Sequence, residues 1–106
     1  MIITTSSSIP GKKIVKAFTV VRGNTIRARN VGRDILAAMK NLIGGEIEEY
    51  TKLFGESREQ ALDRMIEQAK ELGANAIVDV RFSTAYIMQN AAEILVYGTA
   101  VIVEDE

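Results

Sequence analysis

The sequence predicts an α+β domain, a mostly antiparallel sheet with a helical pair packed on one face. Three observations lead there. First, Ala61, Leu62, Met65, Ile66, Ala69 and Leu72 fall on a single helical face, and the chain then runs straight into the strand-like A-I-V-D-V after Gly73. Second, K-I-V-K-A-F-T-V-V-R near the start and A-E-I-L-V-Y-G-T-A-V-I-V near the end have the β-branched and aromatic content of strands. Third, 106 residues suit one domain, residues 1–106, which buries roughly 65% of the surface its unfolded chain exposes.

Taken in order, Ile2-Ile3 form a short edge strand that passes into the polar run T-T-S-S-S. Pro10-Gly11 supply the two central residues of a type II turn, because Pro presets the first φ and Gly accepts a positive second φ. The strand from Lys13 is followed by Gly23-Asn24, which reads as a two-residue hairpin loop leading to T-I-R-A-R. A first helix starts between Asn30 and Asp34 and carries Ile35, Leu36, Met39, Leu42 and Ile43 to the Gly44-Gly45 pair. A second helical piece holds Ile47, Tyr50, Leu53 and Phe54, and Gly55 closes it. The helix after it opens on a capping box, Ser57 with Gln60, and ends at a left-handed cap on Gly73. These two adjoining pieces make the expected antiparallel helical pair.

The following strand alternates, with Val78, Val80 and Phe82 on one face and Asp79, Arg81 and Ser83 on the other. Gln89-Asn90 mark a turn, and the last strand is apolar on both faces. Helices in a chain this small cover one face of a sheet. A strand apolar on both sides therefore implies that another subunit, or closure into a ring, covers the second face.

Composition narrows the chemistry. The apolar fraction of 47% and charged fraction of 25% are those of a globular protein, and no apolar run reaches the roughly 20 residues that a membrane span needs. The N-terminus lacks the basic start and long apolar centre of a secretory signal, so a cytoplasmic location is expected. Cys and His are both absent, which excludes a Ser-His-Asp triad, a Cys-His dyad and a conventional zinc site. Basic residues are not interleaved with aromatics, an argument against nucleic-acid binding.

The net charge of −1 conceals a split along the chain. Residues 1–45 carry eight basic groups against Asp34 alone, a balance of +7, while residues 46–106 carry five basic and thirteen acidic groups, a balance of −8. The two halves either pack on each other, within or between subunits, or the basic half forms an anion patch. For an anion, the candidate ligand-binding residues are Arg27, Arg29 and Arg33, which lead with Arg22 into the start of the first helix, where unpaired backbone N–H groups favour negative charge.

Two acidic groups are alternatives for other chemistry. Glu59, Asp63, Glu67 and Glu71 stand four residues apart in one stripe, which reads as a solvated face, a dock for the basic half of a neighbour, or a collector of hard cations. Glu46, Glu48 and Glu49 beside Tyr50 would serve a hydrolase or isomerase only if buried, and nothing in the sequence positions a partner for them. The residues name no cofactor.

The series G-N-T-I-R-A-R-N-V-G-R-D-I, N-L-I-G-G-E-I-E-E-Y-T, R-E-Q-A-L-D-R-M, L-G-A-N-A-I-V-D-V-R-F and A-E-I-L-V-Y-G-T-A-V-I-V resembles the YbjQ-like family of small prokaryotic proteins, in order and over nearly the whole chain. The resemblance implies a dodecin-like α+β subunit that assembles into a ring-shaped homopentamer through short extra strands. Family members often carry a heavy-metal-binding label. Without Cys or His a soft metal would have to use carboxylates, Met or backbone oxygens, so no metal site is assigned. The sequence thus leads to a non-enzymatic, homo-oligomeric binding or scaffold protein with a small anionic ligand, the alternative being a metal-binding protein that uses carboxylates.

Overall fold

The computed structural model describes residues 1–27, 45–88 and 91–106. Its elements are β1 (Ile2–Ile3), β2 (Lys12–Arg27), α1 (Gly45–Leu72), β3 (Ala76–Met88) and β4 (Ala91–Asp105). The four strands form one mixed sheet in the order β1-β3-β4-β2, with β1 parallel to β3 and both other pairings antiparallel. Long strands make the molecule long: sixteen residues of β2 extend roughly 53 Å, and the whole measures 56 × 24 × 17 Å. Its radius of gyration is 17.1 Å, against about 13 Å for a compact domain of this length.

α1 crosses β2 and β4 on one face of the sheet. Ala61, Met65 and Ala69, each fully buried, meet Val21, Ile77, Val80, Ile94, Val96 and Ala100 from the strands. At one end of the other face Ala76, Val78, Val101 and Val103 form a smaller cluster under Ile9. The last strand therefore buries residues on both sides, as its composition demanded.

Several sequence expectations are met. β1 is an edge strand paired with β3. Lys12 N–H donates to the Ile9 carbonyl at 3.1 Å, and Gly11 has φ +78°, so Pro10-Gly11 are the centre of a turn. At the end of α1, Gly73 has φ +88°, its N–H donates to Lys70 O (3.0 Å), and Ala74 N–H donates to Ala69 O (3.1 Å). That pair of bonds is the Schellman arrangement, which satisfies carbonyls the helix leaves open.

Others are corrected. Gly23-Asn24 are no hairpin loop: β2 runs through them and keeps its pairing with β4 from Val20 to Arg27. Gly23 is required by packing instead, because a Cβ there would lie 2.0 Å from the Ala61 carbonyl oxygen and 2.6 Å from Met65 N. The expected helical pair is a single helix of 28 residues. Gly55 lies inside it, where nothing approaches a would-be Cβ within 4 Å, and the packing of Phe54, Leu62 and Ile66 against the core offsets a glycine's cost of about 1 kcal/mol. Ser57 is accordingly no cap but a fully buried position whose carbonyl accepts the Thr25 hydroxyl at 3.2 Å. The first helix expected at residues 30–43 and the turn at Gln89-Asn90 lie outside the described residues.

Candidate functional site

β3 does not alternate throughout. Val78 pairs with Thr99 and Arg81 with Tyr97, so Asp79 and Val80 together face Gly98 in a β-bulge. Asp79 takes φ +54°, a conformation that side-chain-bearing residues other than Asn and Asp seldom adopt. The N-terminal segment holds it there. Asp79 N–H donates to Ser6 O (3.0 Å), Val80 N–H donates to Thr4 O (3.0 Å), and the Ser7 hydroxyl donates to Asp79 Oδ1 (2.7 Å). Gly98 is small because a Cβ would sit 2.7 Å from Ile77 Cγ2 and 3.0 Å from Val78 O.

The bulge decides which side chains meet. It turns Val80 into the helix-side core and brings Arg81 onto the same outer face as Val78, opposite to the sequence expectation, which separated them. Tyr97 pairs with Arg81 on one side and Arg22 on the other, so Arg22, Tyr97 and Arg81 form one row across three strands on the face away from α1. The flanking rows are Val20, Thr99 and Val78, then Asn24, Leu95 and Ser83. Tyr97 is 39% exposed and Val20 60%, while Ile26, farther along the same face, is 55% exposed.

The two arginines are held differently. Arg81 Nη1 donates to Thr5 O (2.8 Å) and Val80 O (2.9 Å), which fixes its guanidinium beside the N-terminal segment. The Arg22 guanidinium has no ion-pair partner among the described residues, where Lys12–Asp105 at 2.6 Å is the one salt bridge. Glu93 is the acidic neighbour on this face, and its carboxylate accepts from Asn24 Nδ2 at 3.0 Å. Two guanidiniums on either side of a phenol recognise carboxylate or phosphate groups and stack on planar ones.

The edges of the sheet are treated unequally. At β2, side chains of α1 satisfy the outward backbone groups: Gln68 Oε1 accepts from Arg22 N–H (2.8 Å) and Arg64 donates to the Asn24 carbonyl. At β3, the N-terminal segment covers the edge through Val80, and beyond Arg81 no described strand pairs with it. Phe82 and Tyr86 share the helix side with Val96 and Ile94 by register, yet α1 lies over β2 and β4, so Tyr86 is 86% exposed.

Of the residues expected to bind an anion, Arg27 is the last residue of β2, and Arg29 and Arg33 lie outside the described residues. Glu46, Glu48, Glu49 and Tyr50 fall in the first turns of α1. Glu59, Asp63, Glu67 and Glu71 form an exposed ridge opposite the buried Ala61, Met65 and Ala69, and none has an ion-pair partner among the described residues. No group of three or more acidic side chains converges to hold a metal ion among the described residues. No helix among them is long and apolar enough to cross a membrane. The row of Arg22, Tyr97 and Arg81 escaped sequence reasoning because its members are 59 and 16 positions apart and a bulge sets their register; the one local sign was a Tyr inside the largely apolar I-L-V-Y-G-T-A-V-I-V.

Comparison with known proteins agrees with this architecture. The family model described as "Putative heavy-metal-binding" matches residues 1–104. A UPF0145 protein of Dehalococcoides mccartyi is 56% identical over 104 residues, covering 98% of this chain and all of the relative. One from the archaeon Archaeoglobus fulgidus is 54% identical over 101 residues (95% and 94% covered), and one from Hahella chejuensis 52% over 104 (98% and 100%). The crystal structure of a protein of unknown function of the DUF74 family from Pediococcus pentosaceus superposes with a TM-score of 0.65 at 19% identity and 98% coverage of both chains, a likeness of fold. A match along nearly its whole length, with relatives above half identity, shows that this chain belongs to the YbjQ family of UPF0145 proteins.

Proposed function

We propose that the protein is a non-enzymatic homo-oligomeric binding or scaffold protein, a ring-shaped homopentamer of dodecin-like subunits that takes small anions near Arg27, Arg29 and Arg33. The observation that carries the oligomer is the outer face of the sheet, where Val20, Ile26 and Tyr97 remain uncovered in a subunit whose other face is packed by α1. Apolar side chains clustered on one open face are the usual mark of an interaction surface. The anion reading is supported by the +7 balance of residues 1–45. Light scattering tests the first part and thermal melting against inorganic phosphate, nucleotides and carboxylates the second. A monomer refutes the oligomer; no melting shift beyond a sodium chloride control refutes the anion site.

A second reading, a metal-binding protein using carboxylates, is favoured by the exposed ridge of Glu59, Asp63, Glu67 and Glu71 and by the description of the matching family. Carboxylates suit hard cations better than heavy ones, and ridge neighbours about 6 Å apart along a rigid helix do not wrap an ion. Elemental analysis of protein purified without a His-tag, followed by calorimetric titration, decides it: bound metal or micromolar uptake supports this reading, and neither refutes it.

A further inference from the structure

We infer that the outer face of the sheet, centred on Arg22, Tyr97 and Arg81, is the seat for a second copy of this chain, which presents the acidic ridge of its α1. The inference rests on the homo-oligomeric reading and names the two surfaces that meet. Three features of the structure select this occupant. The first is charge: two arginines stand on the face and four carboxylates on the helix exterior, and none of the six has an ion-pair partner among the described residues. Four like charges at successive helical turns repel one another, so opposing arginines relieve a cost the isolated subunit retains.

The second feature is size. A small anion between the arginines would leave Val20 and Ile26 in water, whereas a helix reaches all of them. Leu62 and Ile66, packed against the core yet only half-buried, flank the ridge at Asp63 and Glu67 and leave some apolar surface beside the charge. The third is the edge of β2. Gln68 and Arg64 already occupy the backbone groups of Arg22 and Asn24, which blocks a neighbouring strand from adding at the β2 edge and leaves the adjoining face for association. Each copy thus uses two different patches, a head-to-tail contact that propagates around a ring.

Charge exchange tests it, with mass and dissociation followed by light scattering and sedimentation. Arg22→Glu alone, whose side chain makes no ion pair within the described chain, weakens assembly at least tenfold, and Arg22→Glu with Arg81→Glu weakens it further. Asp63→Lys with Glu67→Lys does the same from the other surface. Combining all four substitutions in one chain restores assembly, an outcome that misfolding of either double variant would not produce. Circular dichroism verifies that each variant keeps its fold. An oligomeric wild type whose mass and dissociation are unchanged by Arg22→Glu and by the ridge variant overturns this interface and leaves the oligomer standing; a monomeric wild type overturns both.

Discussion

Replacing Gly23 by Ala places a Cβ 2.0 Å from the Ala61 carbonyl oxygen and 2.6 Å from Met65 N. Both obstructing atoms belong to the backbone of α1, so no rotamer change relieves the contact. Restoring about 3 Å of separation requires the helix to move roughly 1 Å from β2, away from the best-packed part of the core. Overpacking of this kind costs about 1–3 kcal/mol, and a rigid obstacle puts Gly23→Ala at about 3 kcal/mol. The entropic gain of removing a glycine, about 0.4–1 kcal/mol, leaves a net loss of about 2 kcal/mol. Urea unfolding with linear extrapolation measures it as a lower midpoint at unchanged slope. Gly55→Ala is the internal control: nothing lies within 4 Å of its Cβ, and it stabilises the helix by about 1 kcal/mol. If Gly23→Ala is as stable as the parent, the close approach of α1 to β2 is not as described.

Two further substitutions examine the ends of the elements. Gly73→Ala forces a Cβ into φ +88° and costs about 1–2 kcal/mol, read from the same unfolding curves, because the Schellman cap needs that conformation. At Asp105 the hydrogen bond from Lys12, reinforced by its charge, holds the carboxyl below its ordinary value of 3.8. A lowered folded-state pKa contributes stability above pH 3.8 that is lost as pH falls through the folded value. Asp105→Asn therefore flattens the acid limb of a melting-temperature profile and leaves the profile near neutrality almost unchanged; a steeper acid limb in the variant contradicts the pairing.

What the sequence revealed, and what it concealed, follows from the range of the interactions. Turn and cap chemistry is local, so Pro10-Gly11 and Gly73 were legible from two or three residues. The apolar stripe Ala61, Met65 and Ala69 was legible for the same reason, since helical periodicity is written in consecutive residues. Gly23 and Gly55 misled because a glycine signals either a turn or a close approach, and only tertiary packing chooses between them. Gly23 yields to a helix, and Gly55 is tolerated inside one. The bulge at Asp79 was illegible because its cause lies more than seventy positions away, in backbone and hydroxyl contacts from Ser6 and Ser7. Without that bulge the alternating pattern puts Arg81 on the wrong face, and the row with Tyr97 and Arg22 disappears. The charge split was visible at once, and among the described residues Lys12–Asp105 is its single ion pair.

Assembly through the exposed outer face of the sheet is the proposal on which the ring depends. Native mass spectrometry of untreated protein addresses it most directly, by counting subunits of 11.6 kDa. The expected species is a closed homo-oligomer, five subunits in the proposed ring, whose dissociation increases with salt as the arginines and the acidic ridge are screened. A single species of 11.6 kDa at every concentration would contradict it.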